Sequence, residues 1–560
     1  MKSTLRFAIA LAAIAVSARA SAQRYLTEVF SDANVTITND VIYGTNIDFL
    51  TSNFASPDVP ANVTELQTAV TLGNPIPAAY FDPADGSTAV KVTNVRMDVY
   101  EPSQGIDPEM QRPLVVYVHT GNALPPPING SPNGTRKDSS AVENCKRFAR
   151  RGYVAVSMSY RLGWNPLAAT ELERRGSLLN AIYRALHDVR QCIRFLKRDA
   201  GQGDNTYGIC ADRIIVVGEG TGGYIALANA TLDDPAELYI EKFRPDPFNP
   251  AVSFVDSLQV GNIHGFGGSL NLYRPNGWGY ESQFCVNLGG ALADTSWLAP
   301  GDAPMVAFHT VFDPFAPFTE GIVIVPTTGG PVVPVQGSNL FMTIVNQYGN
   351  NASFASLPDG DPFTDRARDL YGSSVSHGAN TVNINTGVEG LFPLVRPQFP
   401  APAQEEASPW QWWDPNSAIA QTVVIAGPPP ITAHQASLSS NPDMSPTKGR
   451  AYLDTLHGYL NPRIVAALQL ATPCTFVGID ESHASETVSI WPNPATQSVN
   501  VNADAMVSRF RLLDINGRVV ASGNPAAQRF VIERNGLSPG TYLVELDLEK
   551  GRAMRKLMLD

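Results

Sequence analysis

Short runs of β-branched residues alternate with amphipathic helical patterns between Lys91 and about Ala230, and this alternation limits the possible fold more than any other feature. The strand-like runs are "VRMDVYEP", "PLVVYVHTG", "YVAVSMSYR" and "RIIVVG", and the helical stretches are "SAVENCKRFARRG" and "SLLNAIYRALHDVRQCIRFLKRDA". The near-continuous apolar character of "RIIVVG" is typical of a parallel strand that is covered on both faces. The sequence therefore predicts a doubly wound, mostly parallel α/β sheet.

The pattern changes twice after this region. "APMVAFHTVFDPFAP" is patterned as a later sheet strand, a Gly/Pro-rich tract follows from about 326 to 445, and "SPTKGRAYLDTLHGYLNPRIVAALQL" predicts a last helix. The end of the chain consists of short alternating strands with turns at Asn516-Gly517 and Pro539-Gly540. We therefore expect one large domain over residues 23–480 and a small all-β sandwich over residues 486–560.

The N-terminus has the order of a signal peptide. Lys2 and Arg6 precede an apolar run from Phe7 to Val16, and the small residues 20–22 (Ala-Ser-Ala) follow it. The apolar run is too short to span a bilayer, and no later run is long and apolar enough to do so. We expect residues 1–22 to be removed before Gln23; the alternative is a buried N-terminal helix.

Charge and cysteine content restrict the partners. The net charge is −12 and the pI is about 5.2, so the chain lacks the basic surface that nucleic acids require. Five cysteines are present, and no C-x-x-C spacing, zinc signature or nucleotide loop accompanies them, so we expect no metal and no cofactor. Cys192 and Cys210 lie 18 residues apart in a chain that is expected to be exported. They are predicted either to form a disulfide or to remain two buried thiols.

The tail resembles the C-terminal sorting domain of type IX secretion substrates. The motifs that carry this resemblance are "WPNPA", "LLDINGRVV", "LSPGTYLVEL" and "KLMLD", over roughly residues 486–560. The resemblance implies recognition by the type IX secretion machinery and a secreted or cell-surface location reached through the periplasm. The alternative interpretation is an ordinary adhesive β-sandwich.

Residues from about 90 to 320 resemble the carboxylesterase and lipase branch of the α/β-hydrolases. Four motifs carry the resemblance: "MDVYEP", "VVYVHTGN", "HDVRQCIRFLKRDA" before "ADRIIVVGEGTGG", and "PMVAFHTVFDPFAP". In this family, Gly121 after His119 would offer a backbone N–H to an oxyanion, and the residue after the nucleophile, here Thr221, would offer the second. The family's catalytic acid corresponds to Asp313, although an Asp that stabilises the turn before Pro314 would look the same.

The nucleophile of the family stands at the centre of the motif G-x-S-x-G, and that position here is Gly220. Glycine has no side chain to acylate, so the resemblance implies a cleft whose ester chemistry is lost. Thr221 as a replacement nucleophile would require a motif shifted by one residue, with Glu219 where the turn needs a small residue. Glu219 beside the nucleophile is common in the family, so its presence at the cleft says little about activity.

The family order places the catalytic base after the acid, which leaves three histidines. His377 lies in a polar loop, His434 precedes the last helix, and His457 lies within that helix. We favour His434, because the base of such enzymes belongs on a loop at the carboxyl edge of the sheet.

These features predict a secreted, carboxylesterase-like protein that binds an unknown small-molecule or polymer ligand without hydrolysing it. Two alternatives stay open: an active ester hydrolase with an unrecognised nucleophile, and a surface adhesion or polymer-binding protein. In the last case, Trp410, Trp412 and Trp413 of "PWQWWDP" would stack on the polymer, whereas in the others they would anchor their loop in the core.

Overall fold

The computed structural model of the protein describes residues 24–202, 204–358, 360–400, 405–426, 428–472, 474, 488–514, 518–548 and 551–559. The predicted signal peptide, residues 1–22, and the predicted junction near residue 480 lie outside these residues. The chain divides into two compact units, of which the larger contains residues up to Tyr273 and Glu281–Thr475 and the smaller contains the tail.

In the described residues, the larger unit contains fourteen strands: β1 (Val35–Asp48), β2 (Lys91–Pro102), β3 (Arg112–Val118), β4 (Val154–Met158), β5 (Ile209–Glu219), β6 (Phe284–Leu288), β7 (Met305–Thr310), β8 (Glu320–Ile324), β9 (Pro331–Gln336), β10 (Ser374–His377), β11 (Asn380–Asn383), β12 (Leu391–Leu394), β13 (Val423–Ile425) and β14 (Ile431–Thr432). Eight of them form one sheet in the order β1-β2-β4-β3-β5-β6-β7-β12. The strands from β4 to β12 along this order run parallel to one another, and β1 and β2 pair antiparallel at one edge. The predicted doubly wound, mostly parallel sheet is therefore confirmed.

The helices of this unit are α1 (Val59–Leu72), α2 (Ser139–Arg150), α3 (Glu171–Gln202), α4 (Thr221–Thr231), α5 (Ser257–Val260), α6 (Ser338–Gln347), α7 (Pro362–Arg368), α8 (Ala433–Leu438) and α9 (Pro446–Ala467). None of the helices in the described part of the chain is both long and apolar enough to cross a bilayer.

Alternate residues of the central strands enter two separate hydrophobic cores. Val116 and Val216 pack on one face of the sheet with residues of α3, α4 and α6. Val115 and Ile215 pack on the opposite face with residues of α2 and α9. This alternation explains why the central residues of strands β3 to β7 are mostly apolar, since neither face of the middle of these strands meets water.

The tract from 326 to 445 holds more regular structure than its Gly/Pro content indicates. It contains α6, α7 and the last strand of the sheet, β12, which is only four residues long and includes Pro393. Pro393 lies opposite His309 of β7, at the edge of the sheet where a missing N–H is tolerated. A strand this short, with a proline in it, gives little periodic signal.

The predicted pairing of Cys192 with Cys210 is wrong. Cys210, at the start of β5, forms a disulfide with Cys474, which is 264 residues later in the chain. Cys192 is a free, fully buried thiol of α3 whose sulfur lies 3.7 Å from Sδ of Met97. The helix turns Cys192 towards the sheet, so its thiol serves as an apolar packing group.

The described part of the smaller unit contains six antiparallel strands: β15 (Val488–Trp491), β16 (Ser498–Leu513), β17 (Val519–Gly523), β18 (Ala527–Glu533), β19 (Gly540–Leu548) and β20 (Gly551–Leu559). The first half of β16 pairs with β15 and β18, and its second half pairs with β17 and β19. The long strand thus takes part in both layers around one apolar core. The predicted all-β fold of the tail is confirmed.

Candidate functional site

Gly220 connects the end of β5 to the start of α4 in a backbone conformation that a side chain rarely adopts. Its φ is +52° and its ψ is −114°. The flanking glycines are required by close packing, because a Cβ on Gly222 would collide with the carbonyl of Val118 and one on Gly218 would collide with the carbonyl of Gly222. The spacing of glycines in "GEGTGG" is thus that of a sharp strand-to-helix turn pressed against β3.

The side chain of Thr120 occupies the space in front of Gly220. A Cβ built on Gly220 would lie well inside van der Waals contact with Oγ1 of Thr120 and 3.1 Å from its Cβ. Thr120 follows His119, directly after β3 ends at Val118. The position at which the sequence predicts a substituted nucleophile therefore has no side chain, and the threonine fills the volume that one would need.

The two residues expected to line an oxyanion site lie beside Gly220. Gly121 has a φ of +117°, and its Cα packs against the backbone of Gly134. The hydroxyl of Thr221 accepts a hydrogen bond of 2.7 Å from the backbone N–H of Asn122. This bond joins the loop after β3 to the first residue of α4, and it occupies the Thr221 hydroxyl.

Glu219 lies beneath the turn instead of in the cleft where the sequence placed it. Its carboxylate is fully buried and accepts hydrogen bonds from Tyr117 (2.6 Å), Trp410 (2.9 Å), Gln411 (2.7 Å) and the hydroxyl of Ser140 (3.3 Å). Four donors that converge on one buried carboxylate compensate for its loss of hydration. The arrangement makes Glu219 a structural acceptor that ties the tryptophan loop to the strand.

Asp313 lies in the loop that follows β7 and faces the same region as Gly220. Its Oδ1 accepts backbone N–H bonds from Phe315 (2.8 Å) and Ala316 (3.0 Å), and its Oδ2 lies 3.5 Å from the hydroxyl of Thr310. Burial raises the pKa of Asp313 to about 7, although the two N–H bonds act in the opposite direction.

His309 of β7 lies 3.8 Å from Oδ2 of Asp313, measured from Nε2, and is held by other partners. Its Nε2 lies 3.0 Å from the carbonyl of Ala316 and its Nδ1 lies 2.8 Å from the hydroxyl of Ser338. Burial lowers the pKa of His309 to about 4, so the ring is neutral at pH 7 and donates from Nε2 to the carbonyl.

The three histidines proposed as bases lie in three different places, and in the described residues none of them is hydrogen-bonded to Asp313. Nδ1 of His434, in α8, accepts a bond of 3.1 Å from the indole N–H of Trp413. His377 lies 2.9 Å from a carboxylate oxygen of Glu405 and stacks on Phe312.

The third candidate, His457, is buried in α9. Its Nε2 is 3.1 Å from the amide oxygen of Asn144 and its ring packs edge-on against Phe148. Burial lowers the pKa of His457 well below its usual value, as expected for a neutral packing residue.

The base was expected on a loop at the carboxyl edge of the sheet, and the segment that follows the last strand, β12, begins at that edge. No histidine occurs between Leu394 and His434 in the sequence. This segment instead carries the tryptophan loop, whose Trp410 and Gln411 bond to Glu219. The four-residue strand β12 gives too little periodic signal to be located from the sequence, and for this reason the missing histidine was not predicted.

A cavity of about 860 Å³ opens in front of Gly220, Thr221 and Asp313. Its volume lies in the upper part of the range for small-molecule sites, roughly 300–1,000 Å³. The cavity walls come from α3, from the β8–β9 hairpin and from the segment that contains β13, β14 and α8. Its apolar lining includes Trp164, Leu178, Leu179, Ile182, Tyr183, Leu186, Leu238, Phe243, Trp297, Val323, Val333, Val335, Trp413, Ile425, Ile431 and Leu438.

Two family models match the chain. The model described as BD-FAE matches residues 97–258, which include β3, β4, β5 and the turn at Gly220, and the model described as a secretion system C-terminal sorting domain matches residues 489–560. This chain joins an esterase-like α/β-hydrolase domain to a sorting domain. The sorting domain indicates export by type IX secretion, to the cell surface or outside.

Solved structures similar to the hydrolase domain include propionate-bound esterase 2 of the planctomycete Thermogutta terrifontis. It is 15% identical, with 40% of this chain and 70% of that chain covered and a TM-score of 0.25. Another is MGS-M1, an α/β-hydrolase enzyme from a Medee basin deep-sea metagenome library, which is also 15% identical, with 40% and 66% covered and a TM-score of 0.22. No curated protein matches the chain.

Proposed function

We propose that this exported protein uses its hydrolase domain to bind a ligand and does not hydrolyse esters. The observation that carries the proposal is the pairing of Gly220 with Thr120. Gly220 keeps the backbone of a strand-to-helix turn that exposes a nucleophile, and the Thr120 side chain takes up the space that a nucleophile would occupy.

The surroundings of Asp313 support the same proposal. Acyl transfer requires a base within hydrogen-bond reach of the nucleophile and an acid that orients this base. Asp313 accepts two N–H bonds from its own loop, and His434 is engaged by Trp413. The neutral ring of His309 is held by Ala316 and Ser338.

Two other hydroxyls could be considered as nucleophiles for an active hydrolase, and their contacts speak against both. The hydroxyl of Thr221 accepts the N–H of Asn122 and has no histidine beside it among the described contacts. Ser338 does lie 2.8 Å from a histidine nitrogen, but it is fully buried and is not among the residues that line the cavity. Thr221 therefore has no base beside it, and a substrate in the cavity would not reach Ser338.

The adhesion alternative receives no support from the tryptophan loop. Trp410, Trp412 and Trp413 expose between 0% and 7% of their surface, so they do not form a platform on which a polymer could stack. Trp410 and Trp412 belong to the core on the α2 and α9 face of the sheet.

The test uses the purified, exported protein with short-chain nitrophenyl esters and a fluorophosphonate probe, beside an active serine esterase as control. We expect no hydrolysis above a heat-inactivated sample and no covalent labelling, because no serine or threonine hydroxyl that lines the cavity is hydrogen-bonded to a histidine among the described contacts. Saturable hydrolysis together with labelling of Thr221, Ser338 or any other residue of the hydrolase domain would refute the proposal.

A further inference from the structure

We propose that the cavity takes an uncharged, largely apolar small molecule whose polar end carries a hydroxyl or similar donor. This inference rests on the proposed function, since it names the class of ligand that the same cavity would bind. Three observations support it: the apolar side chains of the cavity walls, the presence of Asp313 as the one charged residue among the described lining residues, and the Oδ2 atom of Asp313, which can accept a further hydrogen bond.

The walls favour an apolar ligand. Leu179, Ile182 and Leu186 of α3 point into the cavity at spacings of three and four residues, as one face of a helix does. Val333 and Val335 of the β8–β9 hairpin line it as well, at the spacing of two residues that one face of a strand has. A ligand that covers these side chains gains about 25 cal/mol for each Å² of apolar surface removed from water.

The charge of the lining residues disfavours anionic ligands. The residues that line the cavity include no Lys, Arg, His or Glu in the described part of the chain, and Asp313 is their only carboxylate. A carboxylate, sulfate or phosphate placed here would lose its hydration without meeting a cation, and it would face Asp313. Fatty-acid anions and phosphorylated molecules are therefore disfavoured against neutral molecules of the same shape.

One polar part of the cavity wall lies around Gly220. Thr120, Asn122, Asn133 and Gln411 line it there, and the amide of Asn133 already donates to Gln411 at 3.3 Å. Oδ1 of Asp313 accepts two backbone bonds, whereas the closest polar neighbours given for Oδ2 are Thr310 at 3.5 Å and His309 at 3.8 Å. Both distances are longer than an ordinary hydrogen bond, so Oδ2 can accept one from a ligand hydroxyl.

The experiment compares two fluorescent probes that share their aromatic rings and differ in charge. N-phenyl-1-naphthylamine is neutral, and 8-anilinonaphthalene-1-sulfonate carries one sulfonate. We expect saturable binding of the neutral probe to the full-length protein and at least tenfold weaker binding of the sulfonate. Equal or tighter binding of the sulfonate would overturn the assignment.

Cavity-filling variants test whether the neutral probe binds in this cavity. Ile182→Trp fills the cavity from α3 and should weaken binding of the neutral probe at least tenfold, whereas Leu172→Trp, at an exposed position of the same helix, should leave it unchanged. Ala436→Trp fills the opposite wall and serves if Ile182→Trp does not fold. Unchanged binding in a folded cavity-filling variant would show that the probe binds elsewhere and would refute the proposal.

Asp313→Asn tests the origin of the selectivity. At pH 8, where most Asp313 carboxyls are ionised, the amide oxygen of the variant can still accept the two backbone N–H bonds, but the negative charge of the wild type is gone. The ratio of sulfonate to neutral-probe affinity should rise several-fold, and a ratio that stays constant would contradict the role given to Asp313. Ester hydrolysis measured on the same samples separates the two proposals, because an active enzyme would refute the proposed function while leaving the neutral-probe result intact.

Discussion

Thr120 and Gly220 act as a pair, although a hundred residues separate them in the sequence. The threonine side chain lies where a Cβ on residue 220 would stand. A substitution at either position therefore changes the space available to the other. Residues in such contact have non-additive effects on stability, typically by 0.5–3 kcal/mol.

Gly220→Ser should destabilise the protein by more than the roughly 1–3 kcal/mol expected from a side chain at an unfavourable φ and ψ alone, because Thr120 blocks it. In the double variant Thr120→Gly/Gly220→Ser, the threonine side chain is gone, so the part of the destabilisation that its collision with Ser causes should disappear. Urea unfolding of the wild type, both single variants and the double variant measures the coupling. Gly220→Ala is the matched control, since it adds the Cβ without the hydroxyl and should show the same coupling. Strictly additive losses would mean that Thr120 does not fill this space.

Esterase activity should stay at background in all of these variants. Restoring a serine returns the nucleophile only, and none of the proposed bases is hydrogen-bonded to Asp313 in the described residues. Nitrophenyl ester turnover by the Thr120→Gly/Gly220→Ser protein would reveal a base that the present arrangement does not contain. A further His434→Ala substitution would then test whether that base is His434.

Asp313 should make stability depend on pH. Its pKa of about 7 in the folded protein exceeds the ordinary value of 3.8, so between these pH values the folded state binds more protons than the unfolded state. The contribution to stability is thus fully present below pH 3.8 and is lost as pH rises through about 7. A shift of this size corresponds to about 4 kcal/mol.

Asp313→Asn cannot ionise, so its free energy of unfolding should lack this decline between pH 4 and pH 8. The two profiles, measured by urea unfolding, should diverge most above pH 7, where the wild type carries a buried charge. Parallel profiles over the whole range would show that Asp313 is ionised normally in the folded protein.

At the scale of elements, the end of the hydrolase domain is fastened to the start of β5. Cys210 is bonded to Cys474, and the guanidinium of Arg213 donates to the carbonyl of Thr472 at 2.9 Å. Helix α9, which covers one face of the sheet, ends at Ala467, seven residues before this disulfide. The crosslink therefore holds the segment after α9 against the strand that leads to Gly220.

Replacing both Cys210 and Cys474 by Ala should lower the free energy of unfolding by about 2–5 kcal/mol, because the loop that the disulfide closes is long. Cys192→Ala serves as the control for removal of a buried free thiol: it keeps the disulfide, so reductant should lower its free energy of unfolding as much as that of the wild type, whereas the double variant should not respond to reductant. Urea unfolding with and without reductant measures the effect. Peptide mapping without reduction should recover Cys210 linked to Cys474, and free thiols at both positions would contradict the assignment.

At the scale of the whole molecule, the sorting domain determines where the protein goes. Deletion of residues 486–560 should leave the protein in the periplasm of its native host, because the type IX machinery recognises the tail. Deletion of residues 2–22 should leave it in the cytoplasm if these residues are the signal peptide. Immunoblots of cell fractions and medium, with the full chain in parallel, measure both. The tail-deleted form at full level in the medium would contradict the role of the sorting domain.

The sequence by itself determined the fold of the hydrolase domain and the identity of the tail. Both rest on local signals: the alternation of strands and amphipathic helices from β2 to α4, and ordered motifs within the last part of the chain. It also determined that residue 220 has no side chain, because the glycine-rich turn after "RIIVVG" can be recognised without any distant contact.

Only the tertiary structure decided what surrounds Gly220. The contact with Thr120, the bonds from Trp410 to Glu219 and the disulfide from Cys210 to Cys474 join residues that are far apart in sequence. Local periodicity reports which face of an element is buried, but it does not specify the distant residue that covers that face. The four-residue strand β12 was missed for the related reason that so short a run shows no period, and the absence of a histidine after it became visible only in the folded sheet.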